Sequence, residues 1–315
     1  MPTRNSLPYV RDQIDAILRQ TMTDWEVVAV DGHSTDGTWE LLMETAATDA
    51  RFKVRQSPPQ GVYAALNECL RHASGLWVLF TMADDTLLPS CLQRLQEVIE
   101  GAPDTELIHY KIKIIDAAGR DSDYTWQDRL AVRYWGTQID RRHWRDGTQE
   151  YWRHVLYGSV YISLTELAVR RSLLLTVPPF EEEIGAWADI LWAARAVRGR
   201  KVLHIPSVLA TWRKREGQVT QFGDKSASPR NHLALIEVLR REDTRNPYDE
   251  RYRTYRQLAL TYYRFTGVLD DSGRILRRLQ HPLLLLREIV GWLYSGELGA
   301  IGYRIRQLRS LIPPE

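Results

Sequence analysis

Carboxylates stand directly after two short apolar runs of the chain. Asp31 follows the run 25–30, and Asp84 and Asp85 follow the run 76–81. A carboxylate in such a place can accept a hydrogen bond from the N–H of a uracil ring, and the glycine after Asp31 lets the backbone turn toward a ligand. A pair such as Asp84 and Asp85 can hold a hard divalent cation, which neutralises a diphosphate. Each motif also has a structural reading, because an aspartate can cap a helix and paired aspartates are common in turns.

The elements that would position these carboxylates alternate between two patterns. The runs 25–30 and 76–81 are short and almost wholly apolar, as is typical of strands buried on both faces of a parallel sheet. The segments 6–20, 38–47 and 62–74 carry apolar residues at helical spacing. Strands that alternate with helices predict a Rossmann-like α/β fold, with a mostly parallel sheet flanked by helices. Ligands bind such a sheet beyond the carboxyl ends of its strands, where both acidic motifs lie.

Composition favours a reduced compartment and no membrane span. The chain has 315 residues, and no run approaches the roughly 18 apolar residues needed to cross a bilayer. Its two cysteines, Cys69 and Cys91, are too far apart for a CxxC pair and are expected to be packing residues. We therefore expect the protein in the cytoplasm.

The C-terminal part of the chain is a basic module. Residues 240–315 hold 14 arginines, no lysine and 9 acidic groups, although the whole chain has a net charge of only +2. Arginine matches phosphate geometry, so the helical segments 283–293 and 301–311, with Arg304, Arg306 and Arg309, are candidates for peripheral contact with anionic lipid or a lipid-diphosphate acceptor. The alternative is a solvated, salt-bridged helical surface.

Tryptophan is concentrated in the middle of the chain. Seven of the eleven tryptophans lie between residues 126 and 212. Aromatic faces can serve as platforms for sugar rings, whereas for any single tryptophan a place in the hydrophobic core is the favoured interpretation.

Six motifs follow one another along residues 1–220. They are PTRN (2–5), VDGHSTDGT (30–38), QGVYAALN (60–67), ASGLWVLFTMADD (73–85), ADILWAAR (188–195) and IPSVLATWRKREGQVT (205–220). In order and spacing they resemble the family 2 glycosyltransferases of bacterial surface-polysaccharide type, which have a GT-A fold. The resemblance implies a nucleotide-sugar donor and a divalent cation, Mn²⁺ or Mg²⁺.

The resemblance also implies roles for individual residues. Asp189 would be the catalytic base, with Arg195 six residues later, as in the acidic motif of the family. Asp84 would contact the cation and the diphosphate, with Asp85 as a second metal ligand, and Asp31 would hold the nucleotide base. The predicted donor-binding residues are Pro2, Thr3, Asn5, Asp31, Ser34, Tyr63, Asn67, Asp84 and Arg215. Asp189 also has a structural reading, as a carboxylate that interacts with a helix dipole.

The chain departs from the family pattern in several places. It starts at Met1-Pro2, where the family has a buried strand before the proline, so the first strand is expected to be missing. A start codon assigned too late is the favoured explanation, and a sheet that lacks the strand is the other. Met82 replaces the leading acid of the DxD element, Ala64 replaces a frequent acid, and Arg215 replaces a frequent histidine. These losses weaken the expected cation site, and Arg215 is a candidate to supply positive charge instead.

The sequence thus predicts a catalytic domain over 1–225 and a helical basic extension over 226–315. The predicted reaction is inverting transfer of a sugar, expected to be UDP-linked, to a glycan or lipid-linked acceptor of the cell surface, without a nucleic-acid partner. One alternative is a nucleotide-sugar-binding partner that has lost turnover. Another is a nucleotidyltransferase, which would ordinarily have a glycine-rich basic loop after its first strand, and 2–10 has none.

Overall fold

The computed structural model of the chain describes residues 1–122, 135–157, 160–215, 227–244 and 250–256. The strands in chain order are β1 (Pro2–Thr3), β2 (Val27–Asp31), β3 (Phe52–Gln56), β4 (Trp77–Leu79), β5 (Thr86–Leu87), β6 (Leu107–Ile115), β7 (His143–Asp146), β8 (Leu167–Arg170) and β9 (Lys201–Arg213). The α-helices are α1 (Leu7–Leu18), α2 (Thr38–Thr48), α3 (Val62–His72), α4 (Cys91–Glu100), α5 (Gly147–Tyr157), α6 (Arg171–Leu174), α7 (Ala188–Val197) and α8 (Ala227–Glu242). Short 3₁₀ turns lie at Gly136–Asp140, Leu164–Glu166 and Glu182–Trp187.

The first sheet is parallel and has the order β1-β2-β3. All five residues of β2 are buried, which explains why this strand is a continuous apolar run ending in an aspartate. The first strand, expected to be missing, is represented by the two residues of β1, which pair with β2. In this register Thr3 lies opposite Asp31, and Asp31 lies opposite Gln56. Three polar side chains therefore meet at the carboxyl ends of the three strands.

The second sheet has the order β4-β8-β6-β9-β5, with β7 also paired to β9. Its β6 and β9 are parallel, whereas β8, β5 and β7 pair with their neighbours in antiparallel fashion. The register of β6 against β9 shifts on either side of Lys111. Pro206 lies in this part of β9, and a proline has no N–H to donate to a ladder. The apolar pattern predicts a strand over 202–211, interrupted by Pro206, and beyond the irregularity β9 continues two residues further, to Arg213.

Helices from both predicted domains pack into one core. Trp192 of α7 and Tyr151 of α5 are almost fully buried there, together with Leu235 and Leu239 of α8. Tyr252, in the helical segment 250–256, belongs to the same cluster. The described beginning of the C-terminal extension thus covers an apolar face of the first domain, as an amphipathic helix requires. The boundary at residue 225 stays a prediction.

The predicted basic helices 283–293 and 301–311 lie outside the described residues. Within the part of the chain that the structure covers, no helix combines the length and the apolar character that a membrane crossing demands. The expected cytoplasmic location and the membrane contact stay predictions.

Candidate donor and catalytic site

Asp31 is fully buried at the end of β2 and accepts hydrogen bonds from three side chains and one backbone group. Its Oδ1 accepts from Thr3 Oγ1 at 3.1 Å and from Ser34 Oγ at 2.5 Å. Its Oδ2 accepts from Ser34 N at 2.9 Å and from Gln56 Nε2 at 3.4 Å. A carboxylate has about four acceptor sites. The contact from Gln56 is the longest of the four and the weakest by geometry.

The loops after β1 and β2 are tied to each other. Asn5 N donates to Ser34 Oγ at 2.8 Å, and Thr35 N donates to Asn5 Oδ1 at 2.9 Å. Asn5 and His33 have φ angles of 45° and 55°, which residues other than glycine rarely adopt. Such conformations persist where surrounding contacts impose them, and they concentrate at ligand sites.

The structure brings together Pro2, Thr3, Asn5, Asp31 and Ser34, all of them predicted donor-binding residues. Sequence analysis missed Gln56. The run 52–56 predicts a short strand, and Gln56 is its last residue. Neighbouring parallel strands end at the same edge of a sheet, so this position was the signal.

Asp84 contacts two arginines at the end of β9. Arg213 is the last residue of this strand, and Arg215 lies two residues beyond it. Oδ2 of Asp84 forms an ion pair with Nε of Arg215 at 2.8 Å, and the backbone oxygen of Asp84 accepts from Nε of Arg213 at 2.9 Å. Both guanidinium groups lie over the ring of Tyr9, at 5.2 Å for Arg213 and 4.9 Å for Arg215. Asp84 and Arg215, both predicted to bind the donor, are thus neighbours, and Arg213 joins them without having been predicted.

Asp85 is only 1% exposed and turns away from this surface. Its Oδ2 accepts from Thr165 Oγ1 at 2.6 Å, and its Oδ1 accepts from Arg213 N at 3.1 Å. Burial, and then the charge of Asp84, raise the pKa of Asp85 above its usual range. Asp85 therefore joins β9 and the turn at 164–166 to the loop before β5.

The predicted Mn²⁺ or Mg²⁺ site does not fit these side chains. Met82 is apolar and packs against the core, Asp85 is enclosed, and Asp84 is paired with Arg215. Among the described residues no group of three or more His, Cys, Asp or Glu side chains could hold a metal ion. A cation bound through Oδ2 of Asp84 would have to displace the guanidinium group of Arg215.

Asp189 lies in the first turn of α7 and is half-buried. Its Oδ1 accepts from Ile190 N at 2.7 Å, and the hydroxyl of Tyr63 forms a hydrogen bond with its carboxylate. Burial raises the pKa of Asp189 to about 6, against the lowering effect of both hydrogen bonds. A carboxylate with this pKa can accept a proton near neutral pH. Tyr63, predicted to bind the donor, thus lies against the predicted base.

Asn67 bridges α3 to the segment before α7. Its Nδ2 donates to Phe180 O at 2.8 Å, and its Oδ1 accepts from Phe180 N at 2.9 Å. The ring of Phe180 in turn lies beside those of Tyr63 and Trp192. Asn67 therefore supports the surroundings of Asp189, and its role toward the donor stays a prediction.

Replacing Asn67 with leucine is expected to lower the free energy of unfolding by about 1–3 kcal/mol, because both backbone groups of Phe180 lose a partner. Urea unfolding followed by tryptophan fluorescence measures the change. The matched control is Gln96→Leu, whose amide contacts Glu100 on the exposed face of α4 and which should change stability by less than about 0.5 kcal/mol. Equal stability of the two variants would contradict the assigned contact.

Arg195, six residues after Asp189, is enclosed at the other end of α7. It is 8% exposed and forms ion pairs with Glu181 and Glu242. Glu242 is the last residue of α8, so Arg195 fixes that helix against α7. Among the tryptophans, Trp192 and Trp135 are core residues, and Trp187 stacks on His232 with centroids 5.0 Å apart.

Two solved structures share this fold. S. aureus TarS 1–349 in complex with UDP-GlcNAc matches with a TM-score of 0.63 at 19% identity, over 91% of this chain and 77% of that chain. The mannosyltransferase PcManGT from Pyrobaculum calidifontis, in complex with GDP-Man and Mn²⁺, matches with a TM-score of 0.50 at 18% identity. This match covers 93% of this chain and 85% of that chain. At such identities the likeness shows the fold alone. The predicted α/β fold of GT-A type is confirmed.

Residues 1–174, more than half of the chain, match the family described as glycosyl transferase family 2. The chain belongs to this family, as predicted. A PGL/p-HBAD biosynthesis glycosyltransferase of Mycobacterium tuberculosis (strain ATCC 25618 / H37Rv) is 33% identical over 128 residues, 40% of this chain and 48% of that protein. The protein named Uncharacterized glycosyltransferase EpsJ of Bacillus subtilis (strain 168) is 32% identical over 100 residues, 32% and 29% of the two chains. The chain spans less than half the length of these relatives.

Proposed function

We propose that the protein transfers a sugar, with inversion, from a nucleoside diphosphate donor to a hydroxyl group of a glycan or lipid-linked acceptor. UDP is the expected nucleotide. One observation carries the proposal. In a chain of glycosyl transferase family 2, Pro2, Thr3 and Asn5 meet Asp31 and Ser34 at the carboxyl ends of β1 and β2. The edge of a parallel sheet beyond its carboxyl ends is where α/β folds bind nucleotides.

The base of the nucleotide would bind at Asp31. A uracil ring offers one N–H, which a carboxylate oxygen can accept. The contact between Gln56 Nε2 and Asp31 Oδ2 is the longest at this carboxylate, so the ring N–H would take its place. Thr3 and Ser34 would keep the carboxylate oriented through Oδ1.

The proposed catalytic base is Asp189. It takes the proton of the acceptor hydroxyl while that oxygen forms a bond with the anomeric carbon, and the bond from this carbon to the diphosphate oxygen breaks. The nucleoside diphosphate leaves with the electron pair. With a pKa of about 6, Asp189 is ionised at neutral pH and basic enough to accept the proton. A single carboxylate suffices for this inverting displacement, unlike the carboxylate pair of a glycosidase.

Tyr63 would position Asp189, which yields a prediction for the variant Tyr63→Phe. Its hydroxyl forms a hydrogen bond that lowers the pKa of Asp189, so its loss should raise that pKa. The acidic limb of the pH dependence of kcat should therefore move to higher pH, with kcat near pH 6 reduced about tenfold or less. Rate measurements between pH 5 and pH 8 test this.

The donor KM distinguishes positioning from donor binding by Tyr63. If Tyr63 acts on Asp189, the KM for the donor stays within about twofold of that of the unmodified protein. An unmoved acidic limb together with a raised KM would instead assign Tyr63 to the donor. The matched control is Tyr110→Phe on β6, because the buried hydroxyl of Tyr110 has no hydrogen-bond partner among the described residues, so its removal should leave both the limb and the donor KM unchanged.

The proposal is tested by calorimetric titration of the protein with UDP, GDP and dTDP, followed by assay of the matching nucleotide sugars for release of the nucleoside diphosphate. UDP belongs in the panel because TarS has been solved with UDP, and GDP because PcManGT has been solved with GDP-Man. Binding of one nucleotide with turnover of its sugar supports a transferase. If none of them binds, the proposed function is wrong.

A second candidate is a nucleotide-sugar-binding protein that has lost turnover and acts as a partner of an active transferase. Met82 in place of an acid and the enclosed Asp85 favour it, because both weaken the expected cation site. Binding of a nucleotide without release of a nucleoside diphosphate from any of the tested nucleotide sugars would support this second candidate. The acceptor class and contact of the basic extension with anionic membrane stay predictions.

A further inference from the structure

We propose that the guanidinium group of Arg215 receives the donor diphosphate directly, in the position where a divalent cation would otherwise lie at Asp84. The inference rests on the proposed function for its ligand, a nucleoside diphosphate. It concerns how this chain neutralises the charge of that ligand, and it implies donor binding without a metal ion.

The first support is the place of Arg215. Its Nε lies 2.8 Å from Oδ2 of Asp84, the carboxylate that the resemblance implies would contact a cation. The side chain of Arg215 is 25% exposed and that of Asp84 is 15% exposed, so the pair lies at a surface that a ligand can reach. A guanidinium group can form two parallel hydrogen bonds to phosphate oxygens. Arg215 thus offers an anion the recognition that a metal ion would offer.

The second support is that the neighbouring carboxylate, Asp85, is enclosed, at 1% exposure. Each of its oxygens already accepts a hydrogen bond, Oδ2 from Thr165 Oγ1 and Oδ1 from the backbone N of Arg213. Divalent cations of this kind take several oxygen ligands, with carboxylates prominent among them. Asp84 alone is then left at this loop, and it is already in an ion pair.

The third support is the balance of charge around Asp84. Arg213 forms an ion pair with Asp12 at 3.0 Å, and Arg215 forms one with Asp84. The ring of Tyr9 lies against both guanidinium groups and favours their positive charge through its π face. A cation site needs an excess of negative ligands, whereas Asp12 and Asp84 are each paired with an arginine and so supply no net negative charge to a cation.

Calorimetric titration with UDP, in EDTA and in MnCl₂, tests the proposal on the full chain. The unmodified protein should bind UDP with a Kd that differs by less than about threefold between the two conditions. Arg215→Gln should weaken binding by roughly 10- to 100-fold in both, as expected for a lost charged hydrogen bond. The matched control, Arg94→Gln on the exposed face of α4, should leave the Kd unchanged.

Asp84→Asn separates the two mechanisms by the sign of its effect. If Arg215 acts directly, the variant should bind UDP at least as tightly, because a negative charge that competes for the guanidinium is removed. If a cation acts, the variant should bind more weakly and only with Mn²⁺. Electron paramagnetic resonance of Mn²⁺ gives a second readout. The amount of bound Mn²⁺ in a solution of UDP should not increase when the protein is added.

Binding of UDP that EDTA abolishes and Mn²⁺ restores would overturn the assignment to Arg215 and leave the proposed function standing. The same holds for weaker binding by Asp84→Asn. If UDP, GDP and dTDP all fail to bind in both conditions, the proposed function falls, and this inference falls with it. An unchanged Kd in Arg215→Gln, with chelator-resistant binding by the unmodified protein, would also contradict the assignment.

Discussion

Replacing Asp189 with asparagine should lower the rate of sugar transfer by roughly 10²–10⁴-fold, because the acceptor hydroxyl then loses its general base. Asparagine keeps the shape of the side chain and can still accept from Ile190 N, so the fold should be retained. Release of the nucleoside diphosphate from the donor, with acceptor present, measures the rate. Nucleotide affinity should stay within about twofold, since the loss falls on the chemical step.

The pH dependence gives an independent check on Asp189. Its pKa of about 6 means that the unmodified protein should lose about tenfold in kcat for each pH unit below 6, because only the ionised form accepts a proton. Asp189→Asn should lack this acidic limb. The control Glu183→Gln, an exposed carboxylate shortly before the helix, should keep both the rate and the limb. Retention of more than about a tenth of the rate by Asp189→Asn would show that another group is the base.

Asp31→Asn should weaken nucleotide binding by roughly 10- to 100-fold, because a charged acceptor of the base N–H is lost. The variant keeps an oxygen for Thr3 or Ser34, but its amide nitrogen cannot accept a hydrogen bond. Calorimetric titration with the nucleotide that binds the unmodified protein measures the effect, and thermal unfolding reports any loss of stability.

The matched control for Asp31 is Asp15→Asn, a carboxylate on the exposed face of α1 that should leave binding unchanged. Asp31 also joins the loops after β1 and β2, so a lower unfolding temperature is expected in Asp31→Asn. A lower unfolding temperature with unchanged affinity would assign Asp31 to structure alone. Weaker binding while the protein is fully folded at the temperature of titration supports contact with the base.

Some parts of the site follow from local sequence. β2 is buried on both faces, so it is visible as an apolar run, and the residue after that run must lie at the carboxyl end of the sheet. Asp31 lies at the end of β2 and Asp84 in the loop after β4, as the two apolar runs indicated, and the roles of both residues stay predictions. The hydrogen bond between Asn5 N and Ser34 Oγ has the same origin, because the loops that carry these residues follow neighbouring parallel strands.

Tertiary structure decided how the predicted residues are used. Arg215 reaches Asp84 across 131 residues of sequence, and Arg213 reaches Asp85 across 128. Asn67 bonds to Phe180 across 113 residues. The apolar pattern of β9 predicts a strand, but it does not specify the pairing with β5 and β6 that brings Arg213 and Arg215 to the loop after β4.

By itself, the sequence determined the family, the α/β fold and the carboxylates that lie at the strand ends, because these depend on short apolar runs and the turns that follow them. Only the tertiary structure decided that Asp85 is enclosed, that Arg215 is paired with Asp84 and that Tyr63 contacts Asp189. Whether a polar side chain faces a ligand or another part of the chain depends on strand register and helix docking. Both are set by the packing of segments that are remote in sequence.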